Sequence, residues 1–223
     1  IGETTSQIAH CMKNVVQIFK GVDMLLKRAM EKGDDEAREN AFGMLARATK
    51  RADQLSHNLL DFSKKREPEI TLIQPEGVIK NVLDYYNDPR YEKYRLVTEI
   101  EIDESIEVDE HRLHGALINL IGNAFDVMPD GGDVLVSVKR ERDWIVWSVS
   151  DSGPGVKEEQ LEEIFVPFHS TKGSSGTGLG LSTVRKFAEE CGGAASASLC
   201  DELGGLKVTI YLPYRMNVTL SDA

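Results

Sequence analysis

Cysteine is scarce in this chain: Cys11, Cys191 and Cys200 are the only three in 223 residues, far apart and with no CxxC pair. An odd, unspaced set argues against a disulfide framework or a thiolate zinc site and suits a reducing compartment. No apolar run approaches the ~18 residues that span a bilayer, and no signal-peptide pattern opens the chain. The expected location is therefore cytoplasmic, with any membrane tether confined to an absent N-terminal region. The first residue is Ile1 rather than Met, so the chain is expected to be part of something longer. Positive charge is also in deficit, with 26 Lys and Arg against 37 Asp and Glu, a net charge of −11. A nucleic-acid backbone demands a basic footprint, so that class of partner is disfavoured. A phosphorylated ligand would have to be held by local devices: a metal ion, backbone N–H groups or a single lysine. There is no internal repeat. What is present is an ordinary globular mixture, 41% hydrophobic and 28% charged, enough for a real core in one large or two modest domains.

The first third predicts two helices. Ile8, Met12, Val15, Phe19, Val22 and Leu26 follow one another at four-three spacing, an a/d seam. Gly33 breaks the pattern, and Asp34 and Asp35 suit the cap and first turn of a second helix. Its seam is Ala41, Leu45, Ala48, Ala52, Leu55, Leu59 and Phe62, and Pro68 ends it. One hairpin cannot bury two narrow seams well; pairing with a second copy into a four-helix bundle is the natural remedy. The methionines at 12, 24, 30 and 44 are expected in the core of that bundle. Residues 68–74 are expected to be a linker, 75–215 a second domain and 216–223 a frayed tail. The second domain alternates helical stretches (76–86, 109–128, 181–190) with strands (96–102, 134–139, 144–149, 194–199, 206–212). Adjacent antiparallel hairpins within it indicate an α+β sandwich. The segment 152–178, rich in Gly, Ser and Pro, is long for a structureless loop and suggests a functional lid.

Four local features between residues 110 and 182 share one chemistry. Asn119 and Asn123 stand four apart on a helix, so both side chains leave the same face. Amide oxygens are hard, neutral ligands suited to Mg²⁺, although the pair alone reads equally as two polar residues on a helix surface. Asp151, Gly153 and Gly155 follow an apolar strand directly. A carboxylate there can accept a hydrogen bond from an exocyclic amine such as that of adenine, and the glycines let a ring approach the backbone; alone, the segment is an ordinary turn. In the stretch Phe165-Val-Pro-Phe168-His-Ser-Thr171-Lys172, two aromatics three apart can anchor a lid, and Lys172 offers a point charge for a phosphate. Last, Gly176, Thr177, Gly178, Leu179 and Gly180 run straight into a helix, where backbone N–H groups cradle oxyanions. This is neither a P-loop nor a dinucleotide fingerprint, since its glycines alternate and no strand leads into it.

Taken in order, these features resemble the N box, first glycine box, F box and second glycine box of the Bergerat-fold ATPases, specifically their histidine-kinase branch, over residues 75–213. The resemblance implies an α/β sandwich that binds Mg²⁺–ATP beneath a flexible lid. It assigns Mg²⁺ to Asn123, support of the phosphates or the reacting group to Asn119, and the adenine amine to Asp151. Gly153 and Gly155 would shape the pocket. Lys172 and the segment Gly176, Thr177, Gly178, Leu179 and Gly180 would wrap the phosphates. Asp126 stands where many members have a basic residue.

The same resemblance gives the hairpin a role. Ile8-Ala-His10-Cys-Met-Lys-Asn14 is similar to the H box of a dimerisation and phosphotransfer domain, here residues 1–67. With Ile8 and Met12 on the seam, His10 falls on the outer face, and Asn14 lies on the same face one turn later. An exposed neutral imidazole is a competent nucleophile toward a γ-phosphoryl group. The implied protein is a homodimeric sensor histidine kinase core that phosphorylates His10 and passes the phosphoryl group to an aspartate on a response-regulator receiver domain. Asn14 fits the position that orients a water for dephosphorylating that regulator. Cys11 stands where the family has an acidic residue beside the histidine. The alternative is therefore a weakly active or inactive nucleotide-binding dimer that serves as scaffold or phosphatase for a receiver protein.

Overall fold

A computed structural model describes residues 2–63, 68–167 and 178–215; within the helices, the side chains of 2–12, 14, 15, 47, 50, 51 and 53–63 lie outside the description. The chain divides into two compact units, one built on residues 1–64 and the other on 65–167 and 180–223.

The first unit is a helical hairpin of α1 (Gly2–Lys32) and α2 (Asp35–Ser63). The turn is as short as the sequence suggests. Gly33 is left-handed, with φ +64°, and its N–H donates to the Met30 carbonyl at 3.3 Å while Asp34 N–H reaches back to Ala29 at 3.0 Å. Together these two bonds form a Schellman stop, which only glycine enters at no steric cost. Asp34 then caps the next helix, its carboxylate accepting from Ala37 N–H at 2.9 Å. Along the seam, Val22, Ala29, Ala41 and Ala48 are buried, while Phe19, Leu26, Leu45 and Ala52 are half-buried. Met24 and Met30 are each 70% exposed in the single chain, so neither packs between the two helices of the hairpin. Met24 lies two residues from Val22, about 200° round the helix, and so faces away from the seam.

The second unit is a two-layer sandwich. Its sheet has five strands, β2 (Tyr94–Glu101), β4 (Gly132–Glu141), β5 (Trp144–Asp151), β6 (Ala194–Leu199) and β7 (Leu206–Pro213), in the order β2-β4-β5-β7-β6. Only β2 and β4 run parallel; the remaining neighbours are antiparallel. The helices α3 (Pro75–Tyr85), α4 (Glu110–Val127) and α5 (Gly180–Glu190) cover one face. Strand alternation explains the layering. Val134, Val136, Val138, Ile145, Trp147, Val149, Val208, Ile210 and Leu212 form a core with Leu113, Leu117, Ile121, Val184 and Phe187 from the helices. The intervening residues on the opposite face are smaller and more polar, such as Ser137 and Ser148, which face each other across the β4–β5 register with hydroxyls 2.8 Å apart.

A short antiparallel ladder, β1 (Thr71–Ile73) with β3 (Ile106–Val108), completes the unit. Neither strand was expected from sequence, and β1 lies within residues assigned to a linker. Three residues are too few to show alternation, yet Ile73, Ile106 and Val108 all join the core. Asp109 follows β3 directly and ties the two ends together. One of its carboxylate oxygens caps α4 by accepting from Arg112 N–H at 3.0 Å, and the other accepts from Glu69 N–H at 3.1 Å. The loop after β5 is not bare either: two short 3-10 turns, Glu158–Gln160 and Glu163–Phe165, lie in its first half. Phe165 is buried there, with the Arg185 guanidinium 3.9 Å from its ring centre. Phe168, the second expected anchor, lies outside the described residues.

Candidate nucleotide site

The site is built on α4: the N-terminus of α5 lies against Asn119 and Asn123, and the turn after β5 lies against Val127. Helix α4 runs without interruption through Asn119 and Asn123, so their four-residue spacing places both on one face. Asn119 is buried and Asn123 half-buried. That face looks onto the N-terminus of α5: a Cβ built on Gly180 would lie 3.4 Å from Asn123 Nδ2 and 3.7 Å from Asn119 Oδ1. Two amide side chains and the N–H groups of a helix start therefore converge on one spot. Both supply what a phosphate–metal pair needs, oxygen donors for the cation and aligned N–H dipoles for the anion.

Asp151 closes β5 and is 6% exposed. Its Oδ1 accepts from Gly153 N–H at 2.9 Å and from Leu206 N–H at 3.2 Å. Two backbone donors hold the carboxylate in one orientation, the arrangement needed for a group that reads a ligand by hydrogen bonding. Gly153 is close-packed: a Cβ there would come 2.8 Å from Asp151 Oδ1 and 3.0 Å from the Val127 side chain. Gly155 has φ +65°, a left-handed turn that bends the chain away from the strand. Gly178 and Leu179 lead into α5, Gly178 with φ +64° and Leu179 fully buried. Lys172, Gly176 and Thr177 lie outside the described residues. His10 and Asn14 lie in α1, and their side chains are likewise outside the description. Among the described residues no group of three or more His, Cys, Asp or Glu is placed to hold a metal ion. Asp126 is exposed on the last turn of α4.

Two features of the site have no counterpart in the sequence reading. Tyr86 and Tyr94 brace α4 from behind: the Tyr86 hydroxyl donates to the Ile118 carbonyl at 2.9 Å and the Tyr94 hydroxyl to the Phe125 carbonyl at 3.0 Å. Burial pushes the Tyr86 hydroxyl well above the ordinary tyrosine range, so it stays a donor. Gly122, between the two asparagines, lies beside that hydroxyl, its Cβ position in ordinary contact at 3.5 Å from the Tyr86 oxygen. The second feature is the β6–β7 turn at Gly204–Gly205, which touches Asp151. A pair of glycines between strands signals a turn, not the element on which the turn rests.

Residues 108–216 match the model of the histidine kinase-, DNA gyrase B-, and HSP90-like ATPases. Just under half of the chain is thus similar to the ATPase domains of that family. The matched residues include Asn119, Asn123, Asp151, Gly153, Gly155, Gly178, Leu179 and Gly180. Over nearly its full length the chain is also similar to named kinases. It is 29% identical to sporulation kinase E of Bacillus subtilis (strain 168) over 223 residues, which is 97% of this chain and 29% of that protein. With the sensor histidine kinase ZraS of Klebsiella oxytoca it shares 31% over 218 residues, 96% of this chain and 46% of that protein. Among solved structures, the histidine kinase ThkA in complex with the response regulator protein TrrA superposes with a TM-score of 0.74 at 26% identity, covering 96% of this chain and 61% of that one. The chain thus spans less than half the length of these curated relatives. Two of these three proteins are named histidine kinases. Among the described residues no helix is long and apolar enough to cross a membrane.

Proposed function

We propose that this chain is the catalytic core of a sensor histidine kinase: it binds Mg²⁺–ATP in the second unit, transfers the γ-phosphoryl group to His10, and donates it onward to a receiver-domain aspartate. The observation that carries the reading is the convergence of Asn119, Asn123 and the α5 N-terminus at Gly180, with the backbone-held carboxylate of Asp151 as a second anchor in the same unit. In this reading residues 1–67 form the dimerisation and phosphotransfer hairpin. Residues 75–215, together with β1, form the ATP-binding domain. Val16, Met24, Leu25, Met30 and Phe42 are exposed on the hairpin, an apolar area that a second copy would cover.

The donor set fits magnesium. Mg²⁺ keeps several waters and takes one or two protein ligands plus the nucleotide phosphates, not an all-protein cage. One amide oxygen, from Asn123, with no acidic cluster among the described residues agrees with that habit. When bound, the ion supplies charge neutralisation on the phosphates. Asn119 orients the phosphate chain, α5 offers N–H groups to its oxygens, and Lys172 adds a positive charge. Asp151 accepts from the adenine amine, and the Gly153 and Leu206 amides keep it in place. In the transfer itself a nitrogen–phosphorus bond forms at His10 as the bond from the γ-phosphorus to its bridging oxygen breaks. ADP leaves, and the imidazole N–H proton is lost. Cys11 stands where an acidic neighbour would take up that proton, and transfer is expected to be slow.

Calorimetric titration with ATP tests the site. Asp151→Asn replaces an acceptor with a donor and should weaken binding by about 2 kcal/mol, about thirtyfold. Asn123→Ala should weaken binding in the presence of Mg²⁺ but leave Mg²⁺-free nucleotide nearly unaffected. Wild-type affinity in both variants would reject this nucleotide site.

A further inference from the structure

We infer that the tip of the β6–β7 hairpin, through Gly205 and the Leu206 amide, is the positioning element that makes Asp151 selective for an exocyclic amine. The inference rests on the ATP-binding reading above and names the part of the fold on which base selectivity depends. Neither residue belongs to the four nucleotide motifs of the sequence.

Three observations point to it. The first is the hydrogen bond from Leu206 N–H to Asp151 Oδ1 at 3.2 Å, which crosses 55 residues of sequence. Gly153, the other donor to that oxygen, is only two residues from Asp151 and belongs to the same turn. The hairpin contact therefore ties the carboxylate to a segment distant in sequence. The second is space. A Cβ on Gly205 would fall well inside van der Waals contact of both Asp151 Oδ1 and the Asp151 carbonyl oxygen, and 2.7 Å from Gly153 N. Gly205 is buried directly against the carboxylate, and nothing larger than hydrogen fits. The third is rigidity. Gly205 cannot easily withdraw, because its carbonyl accepts from Cys200 N–H at 2.8 Å and the Gly204 N–H donates to the Cys200 carbonyl at 2.7 Å. Gly155 also backs onto it, its Cβ position lying 3.5 Å from the Gly205 carbonyl oxygen. The hairpin tip thus closes one side of the carboxylate and fixes its rotation. A carboxylate in a fixed rotamer discriminates a donor from an acceptor far better than one free to swing toward water.

The test compares ATP with inosine triphosphate, which presents an acceptor where ATP presents the amine. Wild-type protein should prefer ATP; Asp151→Asn should lose that preference. If wild type shows none, the adenine-reading role itself fails and the inference falls with it. Given the preference, Gly205→Ala should reduce it by about tenfold, the net worth of one misaligned hydrogen bond, while inosine triphosphate affinity changes little. Equal loss for both nucleotides, or no loss, would overturn the inference. Should Gly205→Ala not fold, amide exchange decides. In Asp151→Ala the Leu206 amide should exchange about tenfold faster relative to Ile210 on the same strand. An unchanged Leu206-to-Ile210 ratio would mean that the carboxylate and the hairpin are not coupled.

Discussion

Asp109 holds two chain ends with one side chain, and its removal should be felt at both. The residue is 4% exposed, with Oδ1 on Arg112 N–H and Oδ2 on Glu69 N–H. In Asp109→Ala the cap of α4 is lost, at about 1 kcal/mol. The bond to Glu69 adds about another 1 kcal/mol, giving about 2 kcal/mol in all. For a domain of this size that lowers Tm by about 4–8 °C. Both tryptophans, Trp144 and Trp147, lie on β5 in the second unit, so their fluorescence follows melting of that unit alone. Amide exchange localises the effect: Arg112 and Glu69 should lose protection, whereas Trp147 in the central strand should follow only the global change. Asp109→Asn retains one acceptor oxygen and should recover about half the loss. A decrease of less than about 0.5 kcal/mol, or unchanged exchange at Glu69, would refute the claim that this carboxylate ties β1 to α4.

Gly193→Ala drives a Cβ into the Tyr211 carbonyl and should cost about 3 kcal/mol. Gly204→Ala, at φ +84° with open space around it, should cost only about 1 kcal/mol. Urea melts that rank the two the other way would contradict the packing at the β6–β7 edge. Tyr86→Phe should lose about 1 kcal/mol by removing the hydrogen bond to the Ile118 carbonyl, and a fluorescence melt indistinguishable from wild type would mean that the hydroxyl does not brace α4. Burial pushes the Cys191 thiol up to about 11 from 9.0, so it should resist iodoacetamide at pH 8 in the folded protein and react once the protein is unfolded. The linkage sign follows: between pH 9 and about 11 the unfolded chain releases this proton and the folded one retains it, so Cys191 lowers stability as pH rises through that window. Stability unchanged there in wild type relative to Cys191→Ala would contradict it.

Hydrophobic period and turn chemistry carried most of the fold. The a/d seams placed both hairpin helices, alternation marked the strand at 96–102, and the turn residues at 140–143 and 204–205 marked the strands on either side of them. The ladder of Thr71–Ile73 with Ile106–Val108 is not legible in the sequence, because three residues cannot display a period and Pro68 and Pro75 on either side of β1 resemble linker punctuation. A heptad seam fixes which residues face the partner helix, and Met24 and Met30, exposed in the single chain, do not lie on it. In the nucleotide site, the spacing of Asn119 and Asn123 and the position of Asp151 after an apolar strand were local and therefore legible. Gly205, Tyr86 and Tyr94 were not, since their contacts with Asp151 and α4 join segments that only the sheet topology brings together. Nothing in a pair of glycines or a cluster of tyrosines names a distant neighbour.

The central claim is phosphoryl transfer to a histidine, and γ-labelled ATP tests it most directly. The purified chain, incubated with labelled ATP and Mg²⁺ beside a His10→Gln variant, should acquire label that is lost in acid and retained in base, and the variant should acquire none. A receiver domain added afterwards should then remove the label from the wild type. No acid-labile label on a chain that still binds ATP would contradict the kinase assignment and leave a nucleotide-binding scaffold or phosphatase, with Cys11 as the residue that marks the loss.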